Sequence, residues 1–418
     1  MIDIVFIREN IELMKQTCIN KKMPADIDRI VELDVQIRAA SGNVDALRAR
    51  RNEVSKSKEK TPEIIDEGRR IKIELADLEE DYKTLKTEFD HLMLYVPSVP
   101  DADVPVGAGE EDNLELRRVG AVREFSFEPK DHLEIMENHG MIDVPRGVKV
   151  AGSRSYFLKG KAVMLELAVS RLVIDMLETR GYTPMAVPHI VRRDAMEGTG
   201  YFPVGEDQSY KIDDEELYLV GTSEVSLVSY HMNDVLNLED FPIRFAGISS
   251  CYRKEAGTYG KDTRGLYRVH QFHKVEQVIF CEADKSKQEE LHNEILKNTE
   301  DILAALELPY RVCLACTADL GQWQTRKHEV ETWMPSRDAY CETHSCSSVG
   351  DFQARRGNIR YRDENGKMTY AFTLNNTAIA SPRILIPLLE NHQQEDGSIY
   401  VPIALRPYLG VDVLRPTI

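Results

Sequence analysis

The chain has no run approaching the roughly 18 consecutive apolar residues of a membrane span. It also lacks the basic-then-apolar order of a secretion signal, because its start, MIDIVFIRENIELMKQ, carries an early acid. No membrane partner and a cytoplasmic location are therefore expected. Cysteine is scarce: seven residues, an odd number, lie scattered over 418 positions, which argues against a disulfide framework. Cys313 and Cys316 form one C-x-x-C, but positions three apart in a strand face opposite sides and do not grip one ion together. Cys341, His344 and Cys346 are the remaining set with zinc-binding chemistry, and buried thiols are the expected reading of all seven. Net positive charge is missing too. At −17 the chain disfavours non-specific nucleic-acid or anionic-membrane binding, which leaves RNA recognition to a locally basic element. There is no G-x-G-x-x-G, no Walker P-loop and no G-x-S-x-G, so the commonest nucleotide and hydrolase motifs are excluded.

What is present begins with a long periodic pattern. The length allows two or three domains, and 42% hydrophobic with 29% charged residues is ordinary for a globular protein. Ile30, Leu33, Ile37, Ala40, Val44, Leu47, Arg51 and Val54 alternate steps of three and four. After KEKTPE the pattern resumes at Ile64 and runs through Gly68, Ile71, Leu75, Leu78, Tyr82, Leu85 and Phe89 to Leu92. Such spacing with charges between is the heptad signature, and Pro62 interrupts it. The spacing predicts an antiparallel two-helix coiled-coil arm over about 27–95 inside an N-terminal domain 1–110. Each helix is expected to be about 45–50 Å long. Between Arg48 and Lys60 six bases (Arg48, Arg50, Arg51, Lys56, Lys58 and Lys60) face two acids, so the tip is the expected phosphate-backbone contact. A Pro/Gly/Asp-rich stretch, 94–113, reads as the linker out of the arm.

The remainder, 111–418, mixes elements. Helical spacing marks 161–179, 285–306 and the segment after Pro382; strands are expected at 217–220, 243–252, 269–281, 309–316 and 368–374. This predicts an α+β class with an antiparallel sheet. The charged stretch CYRKEAGTYGKDTRGLYRVHQFHKVEQVIF (251–280) reads as strand, loop, strand. Arg253 and Glu255 are expected to share one strand face, as are His270, Phe272, Lys274 and Glu276 on the return strand. A guanidinium, carboxylates and an aromatic ring are the parts needed to bind an amino acid beside a nucleotide. Exposed ion pairs alone are worth only about 0–1 kcal/mol each, so a purely structural cluster would gain the fold little.

That stretch resembles motif 2 of class II aminoacyl-tRNA synthetases in the form found in seryl-tRNA synthetases of bacterial type. VPHIVRRDAMEGTGYFP (187–203) is similar to the family's motif 1 region, LYLVGTSEVSL (217–227) to its amino-acid loop, and NNTAIASPRILIPLLENHQQEDGSIYVPIALRPYLG (375–410) to motif 3. SCSSVGDFQARRGNIRYR (345–362) and RRNEVSK (50–56) resemble it as well. The resemblance implies a six- or seven-stranded antiparallel sheet in a homodimer. It also implies ATP-dependent activation of L-serine and its transfer to tRNA(Ser), with Mg2+ assisting.

Position by position, it implies that Arg253 bridges the serine carboxylate and the α-phosphate. Glu276, Thr222, Ser223, Glu224 and Thr377 would bind serine. Lys254, Glu255, Val269, Phe272, Thr343 and His344 would surround ATP, with Phe272 stacking on adenine. Glu342 and Ser345 would hold the metal, and Arg383 the γ-phosphate; Arg253, Glu276 and Arg383 are the expected catalytic trio. His270 and His273 read as structural, and Lys254, Lys261 and Arg264 equally as loop charges or tRNA contacts. ETHSCS replaces the E-I-S-S-C-S common in the family, which puts the bulkier His344 in the ATP site. A paralogue serving a carrier protein, a duplicated or inhibitor-resistant copy, activity on the selenocysteine tRNA and a catalytically dead scaffold are alternatives the residues leave open. The last predicts loss of Arg253, Glu276 or Arg383, and all three are present.

Overall fold

A computed structural model describes residues 1–57, 61–212, 215–257 and 264–416. Lys58, Lys60 and Lys261 lie outside the described residues. The chain divides into two compact units, Met1–Val99 and Pro100–Ile418.

In the first unit two short helices, α1 (Ile4–Glu9) and α2 (Ile11–Asn20), precede the long α3 (Ile27–Lys56) and α4 (Pro62–Met93). The Asp26 carboxylate caps α3 by accepting the Arg29 N–H at 3.0 Å. Pro62 does more than interrupt the pattern: it opens α4, where its missing N–H costs nothing, and Thr61 caps it. With 30 and 32 residues the two long helices run about 45 Å each. Along the pair, Arg29 grips Glu88 through two N–H bonds of 2.8 and 2.9 Å. Arg48 reaches Glu79 and Arg50 reaches Glu67, both at 2.7 Å, which fixes the antiparallel register. Ile7, Met14, Ile30, Met93 and Val96 form a small core where the short and long helices meet.

The second unit is built on an eight-stranded sheet. Its strands are β1 (Leu114–Val119), β2 (Thr183–Ala186), β3 (Ile243–Tyr252), β4 (Gln271–Cys281), β5 (Tyr310–Leu314), β6 (Arg326–Met334), β7 (Ala339–Gly350) and β8 (Phe372–Ser381), in the order β1-β5-β6-β7-β8-β4-β3-β2. All neighbours are antiparallel except β2 and β3. Seven of the strands are thus antiparallel, within the expected six or seven, and the parallel β2 adds an eighth at one edge. β2 runs parallel because the long excursion between it and β3 brings the chain back to the same end of the sheet. β1, exposed along its whole length, carries Glu115, Arg117 and Arg118, whose charges discourage further strand pairing. The 94–113 stretch is no loose linker beyond Pro100. Asp101 N–H donates to Thr325 O at 2.8 Å, and Val104 packs against Ala315 and Leu320.

Helices α5 (Lys161–Glu178), α8 (Lys285–Ala305) and α10 (Leu385–His392) cover one face of the sheet, and α6 (Arg193–Thr199), α7 (Glu224–Ser229) and α9 (Phe352–Gly357) cluster elsewhere in the unit. Val169 and Leu172 of α5 and Ile295 and Ile302 of α8 bury themselves with Val275 and Ile279 of β4 in the main core. The alternate β4 residues Val278 and Phe280 join a second core with Phe245 and Leu227. Strand alternation therefore leaves Phe272, Lys274 and Glu276 on the face opposite the main core.

Gly247 of β3 stands opposite Glu276 in register, and a Cβ there would fall 2.7 Å from both Leu227 Cδ1 and Ser223 Oγ. Gly247→Ala is expected to cost about 1–3 kcal/mol by overpacking. Chemical denaturation checks this: the midpoint falls, and an unchanged midpoint would show that α7 moves aside freely.

Candidate active site

Where β4, β7 and β8 present their face opposite the main core, a cleft of about 150 Å3 opens to solvent. Its floor carries an unusual concentration of charge. Lys274 and Glu276, two apart on β4, are 7% and 2% exposed in their side chains and form an ion pair with each other. Thr377 of β8, the register partner of Glu276, donates its hydroxyl to Glu276 Oε2 at 3.4 Å. A β-bulge between Val275 and Glu276 lets Thr377 share that face.

Glu224, the first residue of α7, adds a second buried carboxylate. Its Oε1 accepts N–H bonds from Gln353 at 2.7 Å and Asn375 at 2.9 Å, and its Oε2 accepts the Tyr201 hydroxyl at 2.8 Å. Burial pushes this carboxyl up to about 7, and the neighbouring Glu276 charge adds to the rise. Thr222 and Ser223 are fully buried and point into the fold. Thr222 Oγ1 accepts the Glu224 N–H at 3.2 Å, and Ser223 Oγ donates to Gly247 O at 3.3 Å. Together they set the turn that aims Glu224.

Arg253 lies just beyond the end of β3, so strand alternation does not place it as expected. It is held instead by its own contacts. Its guanidinium sits 5.2 Å from the Phe272 ring centroid and donates to Gly221 O at 3.4 Å, while His270 Nδ1 donates to its carbonyl at 2.9 Å. Glu255 does not share a strand face with it either. Its φ of +52° turns the backbone into the left-handed region, and its carboxylate pairs with Arg268 at 2.7 Å. Both residues nevertheless line the cleft, with Val269 and Phe272. Lys254 is the exception: its ammonium lies 5.8 Å from the Tyr210 ring, away from the lining. His273 pairs with Glu166 at 3.2 Å, and Arg264 with Asp131 at 3.1 Å.

At the opposite end stand Glu342, Thr343, His344, Ser345 and Arg383. Glu342 and Ser345 are three apart on β7 and would face opposite sides of a regular strand. A bulge against β6, where Val330 and Glu331 pair with His344 and Glu342, leaves Thr343 unmatched and returns both to the cleft. Arg383 stacks 4.3 Å from the Tyr267 ring centroid and donates to Glu342 Oε2 at 3.3 Å and to Tyr267 O at 3.1 Å. His344 is almost wholly buried, and burial holds its ring down at about 3, so it is neutral throughout the physiological range. Its Nδ1 bonds Thr343 Oγ1 at 2.8 Å. No zinc set forms around it: among the described residues no three His, Cys, Asp or Glu side chains are arranged to hold a metal, and six of the seven cysteines are buried.

The arm tip shows a division among its bases. All four described bases are exposed, and Arg48 and Arg50 are in addition paired with glutamates of α4. Tyr201, Gln353 and Asn375 escaped the sequence reading, since they lie 23, 129 and 151 residues from the Glu224 they serve. Lys274 was legible as a member of the Glu276 strand face, but its role as that carboxylate's buried partner was not.

The family models that match are the seryl-tRNA synthetase N-terminal domain over residues 1–100 and the tRNA synthetase class II core domain (G, H, P, S and T) over 209–392. The serine–tRNA ligase of Deinococcus radiodurans is 46% identical over 415 residues, covering 98% of each chain. That of Dictyoglomus turgidum is 42% identical with both chains covered in full. Among solved structures, the seryl-tRNA synthetase of Pyrococcus horikoshii complexed with ATP superposes with a TM-score of 0.93 at 38% identity, covering 100% of both chains. The cytoplasmic serine–tRNA ligase of Naegleria fowleri, in complex with AMP, gives a TM-score of 0.86 at 29% identity over 97% of this chain and 96% of its own.

The Lys274–Glu276 pair sets a stability test. Lys274→Met strands a buried carboxylate and is expected to cost about 3–5 kcal/mol, while Lys274→Met combined with Glu276→Gln recovers most of that loss. Denaturant titration of the two single variants and the double variant reads the coupling; additive losses would show that the pair is not the partner system of the floor.

Proposed function

The chain belongs to the seryl-tRNA synthetase family, and on that premise we propose that its cleft activates L-serine with ATP and then esterifies the 3′ end of tRNA(Ser). The observation that carries this reading is the arrangement of charge along one cleft. Buried carboxylates stand at one end, an arginine–tyrosine stack with a carboxylate stands at the other, and Arg253 lies over Phe272 on the wall.

Glu276 and Glu224 receive the serine ammonium, and Thr377, already bonded to Glu276, adds a hydroxyl for the substrate side chain. Thr222 and Ser223 act through the turn they hold. Arg253 bridges the serine carboxylate and the α-phosphate, a geometry suited to its planar fork. A carboxylate oxygen of serine attacks the α-phosphorus, the bond to the bridging oxygen breaks, and pyrophosphate leaves. The hydroxyl of the terminal adenosine then attacks the acyl carbon, and AMP leaves. No covalent enzyme intermediate is needed, since positioning and charge neutralisation supply the rate. Adenine stacks on Phe272 beside Val269, with Glu255 toward its amino group, and Arg383 neutralises the γ-phosphate.

Glu342 and Ser345 fit Mg2+. One carboxylate and one hydroxyl on the same face suit an ion that keeps several waters and takes the rest of its oxygens from phosphate. When bound, Mg2+ would offset charge on the phosphate oxygens, while the chain's own part is to hold the two donors on one side of the bulge. Thr343 and His344 complete that wall without adding charge.

The first unit is read as the tRNA-binding arm, with Arg51 and Lys56 nearest to an incoming backbone and Arg48 and Arg50 bracing the two helices as well. Lys58 and Lys60 extend that basic run in the sequence. A homodimer belongs to the same reading and is supported by apolar Val150, Phe157, Met164 and Leu167, which are 45–73% exposed on the second unit. Among the described residues no helix is long and apolar enough to cross a membrane, and a cytoplasmic site of action is proposed.

ATP–pyrophosphate exchange across a panel of amino acids tests the assignment. Serine is expected to support exchange, alanine to be rejected by roughly 10^4 because buried polar groups would lose their partner, and chelation to abolish the signal. Exchange with no serine preference would overturn the specificity. In aminoacylation assays, Arg51→Glu with Lys56→Glu is expected to raise the KM for tRNA(Ser) at least several-fold, without changing serine-dependent exchange.

A further inference from the structure

We infer that Tyr201 is a positioning residue of the amino-acid subsite, whose hydroxyl holds the Glu224 carboxylate in the orientation in which it meets the substrate ammonium. The inference rests on the reading of the cleft given above and deepens it. No recognised motif spacing assigns Tyr201. It follows α6 on a turn of its own, 23 residues before Glu224.

The geometry begins with Gly200. Its φ of +93° lies in the left-handed region, and a Cβ there would come within 3.0 Å of Phe352 Cε1 and 3.2 Å of Trp323 Cε3. Glycine thus lets the turn settle against these two rings. The Tyr201 ring in turn lies 4.8 Å from Trp323, centroid to centroid, at an angle of 38°. Packed in this way, it has few rotamers to lose when its hydroxyl reaches Glu224 Oε2.

The other Glu224 oxygen is committed. Gln353 and Asn375 both donate amide N–H groups to Oε1, and an amide nitrogen accepts nothing in return. Gln353 is itself fixed, because its Nε2 also donates to Thr199 O at 3.0 Å and its Oε1 accepts the Thr373 hydroxyl at 2.7 Å. Only Oε2 is left to carry a proton, and its partner there is Tyr201. The charged groups bearing on this corner are Glu276 and Lys274 of β4, which act on Glu224, and Arg253, which acts on Tyr201. Burial and the Glu276 charge favour the neutral acid; the Gln353 and Tyr201 hydrogen bonds favour the carboxylate. The carboxyl is raised to about 7, and the Tyr201 hydroxyl is one of the donors that hold it from rising further.

The sign follows directly. The Tyr201 hydroxyl lowers the carboxyl's pKa, so removing it moves ionisation to higher pH and leaves less carboxylate at neutrality. Tyr201→Phe deletes a single oxygen and keeps the ring against Trp323. Pyrophosphate exchange by the full-length protein, measured from about pH 6 to about pH 9, reads the consequence. The serine KM of Tyr201→Phe is expected to rise roughly tenfold near neutral pH, with the ATP KM and kcat little changed, and the gap to wild type is expected to narrow as pH rises. Trp323→Phe, which retains the hydroxyl, is expected to keep the wild-type position of the pH dependence. An unchanged serine KM in Tyr201→Phe, an increase of the same size at every pH, or an equal increase for ATP would overturn the inference. Absence of serine-dependent exchange in the wild-type protein would instead overturn the reading of the cleft, so the two failures are told apart.

Discussion

The second unit is organised around the cost of placing charge on the floor of a buried cleft. Lys274, Glu276 and Glu224 are all nearly inaccessible, and an isolated ion so placed would be prohibitively unfavourable. Each is therefore matched. Lys274 and Glu276 neutralise each other, Thr377 donates to Glu276, and Glu224 is ringed by three neutral donors. A floor with two carboxylates and one ammonium is left with a local excess of negative charge. That excess is what a substrate carrying an ammonium group completes.

The sheet supplies the precision. β4 lies between β3 and β8 near the middle of the ladder, and its alternate residues serve different purposes. Val275 and Ile279 anchor it to the helices, while Phe272, Lys274 and Glu276 stand on the opposite face. Two bulges then adjust the neighbours: one puts Thr377 beside Glu276, and the other returns Glu342 to the side of Ser345. Groups mounted on hydrogen-bonded strands hold their positions better than groups on loops, and most of the cleft's charge is mounted in this way. Arg253 and Glu255 lie off the strand and are fixed by Phe272, His270 and Arg268 instead.

Much of this was legible in the sequence. The 3-4 spacing gave the two long helices and Pro62 their places, and the period-2 pattern located β3 to the residue. The motif resemblance named Glu276, Phe272, Arg383 and Glu342, which the cleft brings together. What escaped the reading depends on register and backbone detail. A bulge leaves no mark in alternation, so the common side of Glu342 and Ser345 could not be derived from spacing. The left-handed turn at Glu255 defeated the strand-face argument, because the strand ends at Tyr252. Lys254 was drawn into the ATP site by its neighbours in sequence, yet its side chain leaves toward Tyr210. The donors around Glu224 come from three distant segments and become neighbours only when the sheet closes.

The most direct test of the account is the structure of the protein bound to a non-hydrolysable seryl-adenylate analogue. The account predicts the analogue's amine within hydrogen-bonding distance of Glu276 and Glu224, its adenine against Phe272, and its phosphate mimic at Arg253. An analogue seated outside this cleft, or lying with its amine toward Arg383 and Glu342, would contradict it.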